Sequence, residues 1–237
     1  MPSDRHPEAG AAETDDAVFA RLLTARHSCR AFTSDPVPRV TIEAILATAQ
    51  KTASWNNTQP WQVIVTGGAA TERFRALMVA AAQAGEPVQS DLPFPREYRG
   101  VYLDRRRACG FQLYDAVGVQ RGDRQAYARQ SLRNYQLFDA PHVAIVTSDE
   151  ALGPYGAVDC GAYVTNFMTA AQSLGVATIA QAALAVHADK IRAHFSISPD
   201  RQVVCGISFG FADQAAPANQ YRTTRAGLGE VVQWLED

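Results

Sequence analysis

The sequence lacks several features that would place it in a common functional class. Cysteine is scarce, and the four cysteines form no C-x-x-C pair and lie at no zinc-ligand spacing from a histidine. A zinc site or a disulfide framework is therefore not expected. We expect reduced thiols in a cytoplasmic protein. No run approaches the ~20 uninterrupted apolar residues of a membrane span, and the polar, acidic N-terminus contains no apolar signal-peptide core. The sequence therefore predicts no membrane partner.

An excess of one charge is also missing. There are 22 lysines and arginines against 24 aspartates and glutamates, which gives a formal net charge of -2. Binding of nucleic acid phosphates requires a strong local excess of basic residues, so no nucleic acid partner is expected. The basic stretch 97–110 alone is typical of a solvated helix face. The remaining composition, 47% hydrophobic and 19% charged, is that of an ordinary globular protein.

The order of apolar patterns along the chain predicts a single α+β domain. We expect a flexible N-terminal arm over residues 1–13 and one domain over 14–237. Helices are predicted from Thr14, Thr41 and Thr71, over 101–117, 123–137 and 159–175, and after His187. Strands are predicted at 61–66, 142–147, 176–180 and 202–211. No β-α-β repeat carries a dinucleotide-binding fingerprint, which favours α+β over a parallel nucleotide-binding sheet.

The pentapeptide GISFG at 206–210 matches the G-x-S-x-G pattern of serine hydrolases and makes Ser208 a candidate nucleophile. That pattern requires a helix directly after the serine and a histidine base later in the chain. Neither is present, because Pro217 interrupts the following segment and all five histidines precede Ser208. We therefore expect a buried strand in which the glycines allow another group to approach closely.

Three polar segments are the candidates for chemistry. In ARHSCRAF (25–32), two arginines four residues apart would repel each other unless an anion lay between them. The alternative is a pair of exposed arginines that favour a helix C-terminus. In SWNNTQPW (54–61), amide side chains offer both donors and acceptors to a ligand edge, although a polar loop between packing aromatics would look the same. The third segment, NQYRTTR (219–225), adds two arginines, and its alternative is a surface tail.

Taken together, these segments resemble the FMN-dependent nitroreductase family. The resemblance rests on R-x-S-x-R near the N-terminus, S-x-x-N-x-Q-P-W, a glycine-terminated helix followed by GVATIAQAA, a GxxxGF strand and an arginine-bearing tail. It extends from about residue 16 to residue 227. The segments DRRRACGFQLYDAVGV, YGAVDCGAY and RQVVCGISFGFAD are most similar to the nitrobenzoate or nitroaromatic reductase branch. The resemblance implies a mainly antiparallel sheet flanked by helices, an intertwined homodimer, and a helical insert at about 86–137.

The resemblance also implies the residues of an FMN site. Phosphate and ribityl contacts are assigned to Arg26, His27, Ser28 and Arg30, completed by Arg222 and Arg225. Polar contacts to the flavin, reaching across from a partner subunit, are assigned to Ser54, Asn57 and Gln59. The backbone of Ala180, Gln181 and Ala182 is expected against the ring, with Gly206 on a nearby strand. Many relatives have proline and glutamate in place of Ala180 and Gln181, which puts any role of that glutamate side chain in doubt here.

The activity that the resemblance implies is reduction of nitroaromatic or related electron-poor acceptors, with NADH or NADPH as the electron donor. One flavin face would serve both substrates in turn, in a ping-pong cycle without a catalytic acid or base. A different flavin chemistry on the same fold, such as dehalogenation, enone or quinone reduction, or oxidation of a biosynthetic intermediate, is an alternative; so is a non-enzymatic flavin-binding protein. The insert is predicted to form a lid over an aromatic substrate, or else a helical hairpin packed on the dimer. Candidate substrate contacts are Trp55, Tyr98, Arg99, Arg106 and Phe111.

Overall fold

The computed structural model describes residues 13–236, and within them seven α-helices surround one four-stranded sheet. The helices are α1 (Asp15–Ala25), α2 (Arg39–Ala49), α3 (Ala69–Gln83), α4 (Gly100–Ala116), α5 (Arg124–Leu132), α6 (Gly153–Ser173) and α7 (Ala188–Phe195). The strands are β1 (Gln62–Val65), β2 (His142–Asp149), β3 (Ala177–Gln181) and β4 (Arg201–Gly210). The N-terminal arm expected over 1–13 lies, except for Glu13, outside the described residues.

The sheet has the strand order β1-β2-β4-β3, and all three pairings are antiparallel. The two central strands are almost wholly buried, because helices cover both faces of the sheet. Strand β3 is an edge strand, and the one pairing on its outer side within residues 13–236 is a bridge between Thr178 and Ser28. The structure therefore confirms the mainly antiparallel α+β fold, and it leaves most of one sheet edge open beside the residue 26–30 segment.

Two hydrophobic clusters hold the helices to the sheet. One face packs against α2 and α6, in a cluster that includes Ile45, Phe167 and Ile207. The other face packs against α3 and α7, where Phe74 and Ile191 are fully buried. Among residues 13–236, no helix combines the length and the apolar character needed to cross a bilayer.

Several helix boundaries differ from the predictions. Helix α2 begins at Arg39 rather than Thr41, because Pro38 already occupies the N-cap position. Helix α6 begins at Gly153, six residues before the predicted start, and accommodates a proline in its first turn, where the missing N–H is not needed. Helix α5 ends at Leu132 rather than near 137, because residues 137–139 all adopt positive φ angles. That left-handed turn buries two of its side chains in the core, so its apolar pattern resembled a continuing helix.

Ser208 lies in the middle of β4, paired with Val143 on one side and Ile179 on the other, and is fully buried. Its Oγ donates a hydrogen bond of 2.6 Å to Oε1 of Gln181. A regular strand has no sharp nucleophile turn, and a buried hydroxyl with this partner is not presented to a substrate. The interpretation of Ser208 as a packing residue is therefore confirmed.

The close approach expected at the glycines on either side of Ser208 is present, and it comes from side chains of the chain itself. A Cβ atom at Gly206 would lie 2.6 Å from Cδ1 of Leu184, and one at Gly210 would lie 2.6 Å from Cδ of Pro141. Such distances are far inside van der Waals contact, so only glycine fits. The chain's own side chains fill the space beside these glycines, and the assignment of Gly206 to the cofactor site stays a prediction.

Candidate functional site

The predicted arginines from the two ends of the chain converge on one cavity. This cavity, of about 550 Å³, is called the arginine pocket, and its polar lining consists mainly of Arg26, His27, Ser28, Arg30, Tyr221, Arg222 and Arg225. The structure therefore brings together all six residues that were assigned to a cofactor phosphate and ribityl chain. Their role in binding FMN stays a prediction at this point.

The pocket forms where α1 ends and the chain becomes extended. Helix α1 stops at Ala25, and Arg26 adopts an extended backbone conformation. The chain then runs along the open edge of the sheet, where the N–H of Cys29 donates to the carbonyl of Thr178 at 3.0 Å. This pairing fixes Ser28 and its neighbours against β3. The wall of the pocket that follows α1 is thus held by backbone pairing to the edge of the sheet.

Asn219 joins the C-terminal arginines to this segment. It is 4% exposed, and its Oδ1 accepts from the backbone N–H of Arg30 at 2.7 Å. Its Nδ2 donates to the carbonyls of Ala31 and Asp213 at 2.8 and 2.9 Å. One buried amide therefore uses its donor and acceptor groups to hold the two halves of the pocket together.

The arginine pocket carries positive charge that no carboxylate of the described chain neutralises. The salt bridges formed by residues 13–236 include none of its four arginines. Arg30 instead donates to the hydroxyl of Tyr221 at 2.8 Å, and Arg222 donates to a backbone carbonyl. Burial lowers the pKa of Arg26, and the nearby Arg225 lowers it further. Both shifts show that the charged form is held at a cost.

His27 adds an unsatisfied polar atom to the same pocket. Its Nε2 is buried and has no hydrogen-bond partner within the described residues. Burial lowers the pKa of His27, and the positive charges of Arg222, Arg26 and Arg30 act in the same direction. A buried nitrogen without a partner is unfavourable unless a ligand supplies one. The pocket is therefore suited to a ligand with several negatively charged oxygens.

The end of β3 presents one free backbone amide to this region. The carbonyl of Thr178 faces the open edge of the sheet, where it accepts from Cys29. Because backbone groups alternate direction along a strand, the N–H of Ala180 also faces that edge, and the N–H of Gln181 faces Gly206 in β4. Ala182 lies just beyond the strand and is exposed. The prediction that the backbone amide of Gln181 faces the ring is therefore corrected, since this amide is directed at β4 in the sheet.

The side chain of Gln181 is also directed into the protein. It is 3% exposed, accepts from Ser208, and donates from Nε2 to the carbonyl of Asn134 at 3.0 Å. These bonds join β3 and β4 to the segment after α5. Gln181 thus has a structural role in the protomer.

The polar loop at 54–59 does not line the arginine pocket. Its side chains bond largely within the loop: the N–H of Gln59 donates to Oγ of Ser54 at 2.9 Å, and Nε2 of Gln59 donates to Oδ1 of Asn57 at 3.1 Å. Asn57 and Gln59 both have positive φ angles, which cost free energy in residues other than glycine. The protomer therefore holds the loop in a defined and exposed shape, away from the arginines.

The predicted substrate contacts do not share one cavity in the protomer. The ring of Trp55 packs edge-on against Tyr155, with centroids 4.4 Å apart. The guanidinium of Arg106 lies 5.0 Å from the ring centroid of Tyr98, and Arg99 pairs with Glu97. Phe111 is exposed and lines a separate cavity of about 300 Å³. Their role as substrate contacts stays a prediction.

The insert is anchored near its start, whereas its first helix lies at the surface. Gln89 pairs through its backbone with Val186 and Ala188, and Asp91 binds both Arg192 and the backbone N–H of Val203. Helix α4, by contrast, has no buried residue. One of its side chains, Cys109, nevertheless reaches the arginine pocket.

Sequence reasoning missed several residues of the site. Tyr221, Thr223 and Cys109 line the arginine pocket, and Asn219 holds it together. Three of the four lie in or beside the NQYRTTR segment, so their proximity to Arg222 was the available signal. Within the part of the chain that the structure describes, no cluster of three or more histidine, cysteine or acidic side chains could hold a metal ion.

Comparison with known proteins gives consistent matches over most of the chain. Residues 23–211 match the model of the nitroreductase family. Nitroreductase NfnB from Mycolicibacterium smegmatis is 39% identical over 219 residues, which is 90% of this chain and 91% of the relative. Nitrobenzene nitroreductase from Ectopseudomonas oleovorans is 31% identical over 91% of this chain and 96% of the relative.

Solved structures show the same similarity. The crystal structure of the FMN-dependent nitroreductase NfnB from Mycobacterium smegmatis in complex with NADPH superposes with a TM-score of 0.88, at 35% identity, over 92% of this chain and 98% of that chain. The FMN and NADPH-dependent nitroreductase NfnB from Sphigopyxis sp. strain HMH also gives a TM-score of 0.88, at 30% identity, over 92% and 99%. Both the sequence and the fold are thus similar to flavin-dependent reductases.

Proposed function

This chain belongs to the nitroreductase family, and we propose that it is an FMN-dependent NAD(P)H oxidoreductase that reduces nitroaromatic or related electron-poor acceptors. The observation that carries the proposal is the arginine pocket, where arginines from both ends of the chain meet with no carboxylate from residues 13–236 in the lining. The curated relatives, named for nitrobenzene and nitrobenzoate reduction, support the substrate class.

The residues of the pocket fit the phosphate of FMN. A phosphate monoester carries about -1.5 to -2 charges near pH 7 and offers three strong acceptor oxygens. Arg26 and Arg222 supply planar donors suited to phosphate oxygens, and the unpartnered Nε2 of His27 is satisfied by donating to one of them. The repulsion that the bare pocket contains thereby becomes a contribution to binding.

Bound FMN supplies the hydride chemistry, accepting two electrons from a nicotinamide and delivering them to the acceptor. The chain's own residues bind and orient the cofactor. The N–H of Ala180, on the open sheet edge beside Ser28, would hold the polar edge of the ring system, and the 26–30 segment would hold the phosphate end. No side chain is required as an acid or base in the hydride steps. A single reactive face used by both substrates in turn gives ping-pong kinetics.

We further propose that the protein is a homodimer in which the polar loop of one protomer completes the site of the other. Asn57 and Gln59 are exposed and have strained positive φ angles, Ser54 is half-buried beside them, and none of the three lines the arginine pocket of its own protomer. Helix α6 carries the exposed apolar side chains Tyr155 and Val158 on the neighbouring surface. Burying such side chains against a second copy is favourable.

The domain organisation and the compartment are also proposals. Residues 14–237 form one FMN-binding domain with the 86–137 insert as part of it, because both hydrophobic clusters use the same sheet. The four cysteines are free thiols, and burial raises the pKa of Cys29 and Cys160 to about 11 and that of Cys205 to about 12. Such unreactive thiols are consistent with a cytoplasmic location.

The direct test is the absorption spectrum of the purified protein before and after anaerobic addition of NADH or NADPH. We expect a yellow protein with stoichiometric FMN that either nicotinamide bleaches, and whose colour a nitroarene restores. A protein that binds FMN but is not bleached would be a flavin-binding protein without this activity. Restoration by quinones, enones or halogenated aromatics but not by nitroarenes would assign a different flavin chemistry to the same fold.

A further inference from the structure

A second cavity opens directly from the arginine pocket. This cavity, of about 700 Å³, is called the outer pocket; it shares Cys109, Thr223 and Arg225 with the arginine pocket. One wall is the exposed face of α4, with Arg105 and Gln112, and the other is the C-terminal tail. A continuous trough therefore extends from the end of α1, past the shared Arg225, to the tail.

The outer pocket has its own cationic group, and that group has only a weak partner. Nη2 of Arg105 lies 3.2 Å from Oε2 of Glu230, and both side chains are substantially exposed, at 43% and 59%. Exposed ion pairs of this kind contribute little net free energy. The tail places Glu230 in a short turn in which its other oxygen accepts from the N–H of Gly227. A ligand with more negative charge than one carboxylate would displace it.

The proposed cofactor does not account for this second site. One FMN phosphate carries at most about two negative charges, and the arginine pocket already contains four guanidinium groups. The outer pocket adds Arg105, an amide with both a donor and an acceptor on Gln112, and apolar walls from Ala108 and Val231. A phosphate next to a purine matches this set, because the amide suits the purine edge and the apolar groups suit its faces.

We propose that the outer pocket binds the 2′-phosphoadenosine end of NADPH, with Arg105 on the 2′-phosphate and Glu230 as the competing internal anion. The inference rests on the proposed function, since it concerns the electron donor of the same site. Because NADH lacks the 2′-phosphate, Arg105 determines a preference for NADPH. Glu230 weakens that preference by occupying the same guanidinium.

Calorimetry on the FMN-loaded protein tests the binding directly, with adenosine 2′,5′-bisphosphate and AMP as the probes. The bisphosphate is expected to bind about tenfold more tightly than AMP, and Arg105→Gln is expected to abolish that difference. Glu230→Gln is expected to tighten bisphosphate binding several-fold. Arg107→Gln, on the same helix but outside the lining of both pockets, is the matched control and is expected to behave like the wild type.

Anaerobic reduction kinetics give a second and separable readout. Arg105→Gln is expected to lower the ratio of kcat/KM for NADPH to that for NADH about tenfold, with the NADH value unchanged. Equal binding of the two probes, or a ratio that neither variant alters, overturns the inference and leaves the proposed function intact. If neither nicotinamide reduces the wild type, the proposed function fails, and the calorimetry still decides whether the outer pocket recognises a 2′-phosphate. Glu230→Gln keeps the inference falsifiable if Arg105→Gln does not fold.

Discussion

Two arginine-rich regions of the molecule have opposite electrostatics. Arg192 lies between Asp91 and Asp189, and the hydrogen bond that it donates to Asp91 raises its pKa above the ordinary value. Arg26, in the arginine pocket, has no carboxylate partner in the described chain, and burial lowers its pKa. The surroundings thus stabilise the charged form of Arg192 and destabilise the charged form of Arg26.

The difference separates a structural arginine from a ligand-binding one. Asp91 also accepts from the backbone N–H of Val203 at 2.7 Å, so Arg192 belongs to an anchor between the insert and the sheet. The arginine pocket instead gathers like charges that Asn219 and Tyr221 hold in place through neutral groups. The fold supplies the position of these charges but leaves their neutralisation to a ligand.

The largest expected effect comes from removing charge on the unneutralised side. The double variant Arg26→Gln, Arg222→Gln is expected to weaken FMN binding about 1000-fold, because each lost guanidinium removes charge-assisted hydrogen bonds to the phosphate. The stability of the FMN-free protein is expected to stay the same or rise, since like-charge repulsion falls. FMN titration followed by fluorescence quenching, and urea unfolding without FMN, measure the two quantities.

Arg39→Gln is the control for that experiment. Arg39 pairs with Glu43 on an exposed helix surface, with its side chain 84% exposed, and it lies outside both pockets. FMN affinity equal to that of the wild type is expected in this variant. Loss of stability without loss of FMN affinity in the double variant would show that the arginine pocket is structural after all.

For Arg192, whose charge is neutralised by aspartates, we expect a loss of stability without a loss of FMN affinity. Asp91→Ala removes both the bond to Arg192 and the acceptor of the Val203 N–H, and the carboxylate it removes is only 15% exposed. The free energy of unfolding is expected to fall by about 2–3 kcal/mol, with FMN affinity changed less than about twofold. Urea denaturation and FMN titration measure the two effects. Glu43→Ala, which breaks an exposed pair, is expected to cost less than about 0.5 kcal/mol.

This contrast also shows what the sequence could and could not predict. Local patterns indicated the helices and strands, because apolar spacing and proline positions act over a few residues. The resemblance placed Arg26 and Arg222 in one site, and the structure confirms that they share a cavity. The sequence could not show that Arg192 has carboxylate partners and that Arg26 has none among residues 13–236, because Asp91 is about a hundred residues away from Arg192 in the chain.

The errors have the same origin in long-range geometry. The direction of Gln181 depends on the register of β3 against β4, which pairs it with Gly206 and directs it inward. The need for glycine at 206, in β4, comes from the side chain of Leu184, which lies in the turn after β3. Asn219 carried no sequence signal of its own, since its role exists only when the tail meets Arg30. Each depends on which segments become neighbours after folding.

A smaller effect, on both the free energy of unfolding and the FMN affinity, is expected from a change at Asn219. Asn219→Ala removes three hydrogen bonds, two of them to the 30–31 segment (the N–H of Arg30 and the carbonyl of Ala31) and one to the carbonyl of Asp213. We expect a loss of about 1–3 kcal/mol in the free energy of unfolding, and FMN binding about tenfold weaker because the pocket's halves are no longer fixed together. Gln220→Ala, at the exposed neighbouring position, is the matched control. A normal FMN affinity in Asn219→Ala would separate the tail from the binding site.

The smallest expected effect concerns pH and His27. Because burial and the nearby arginines lower the pKa of folded His27 below 6.5, the unfolded chain binds this proton more readily. The corresponding stability is present above pH 6.5 and is lost as pH falls through the folded value. The thermal midpoint of the FMN-free protein should therefore fall more steeply between pH 7 and pH 5 in the wild type than in His27→Gln. Bound FMN should reduce this difference, since its phosphate favours the protonated ring, and equal slopes with and without FMN would place the phosphate away from His27.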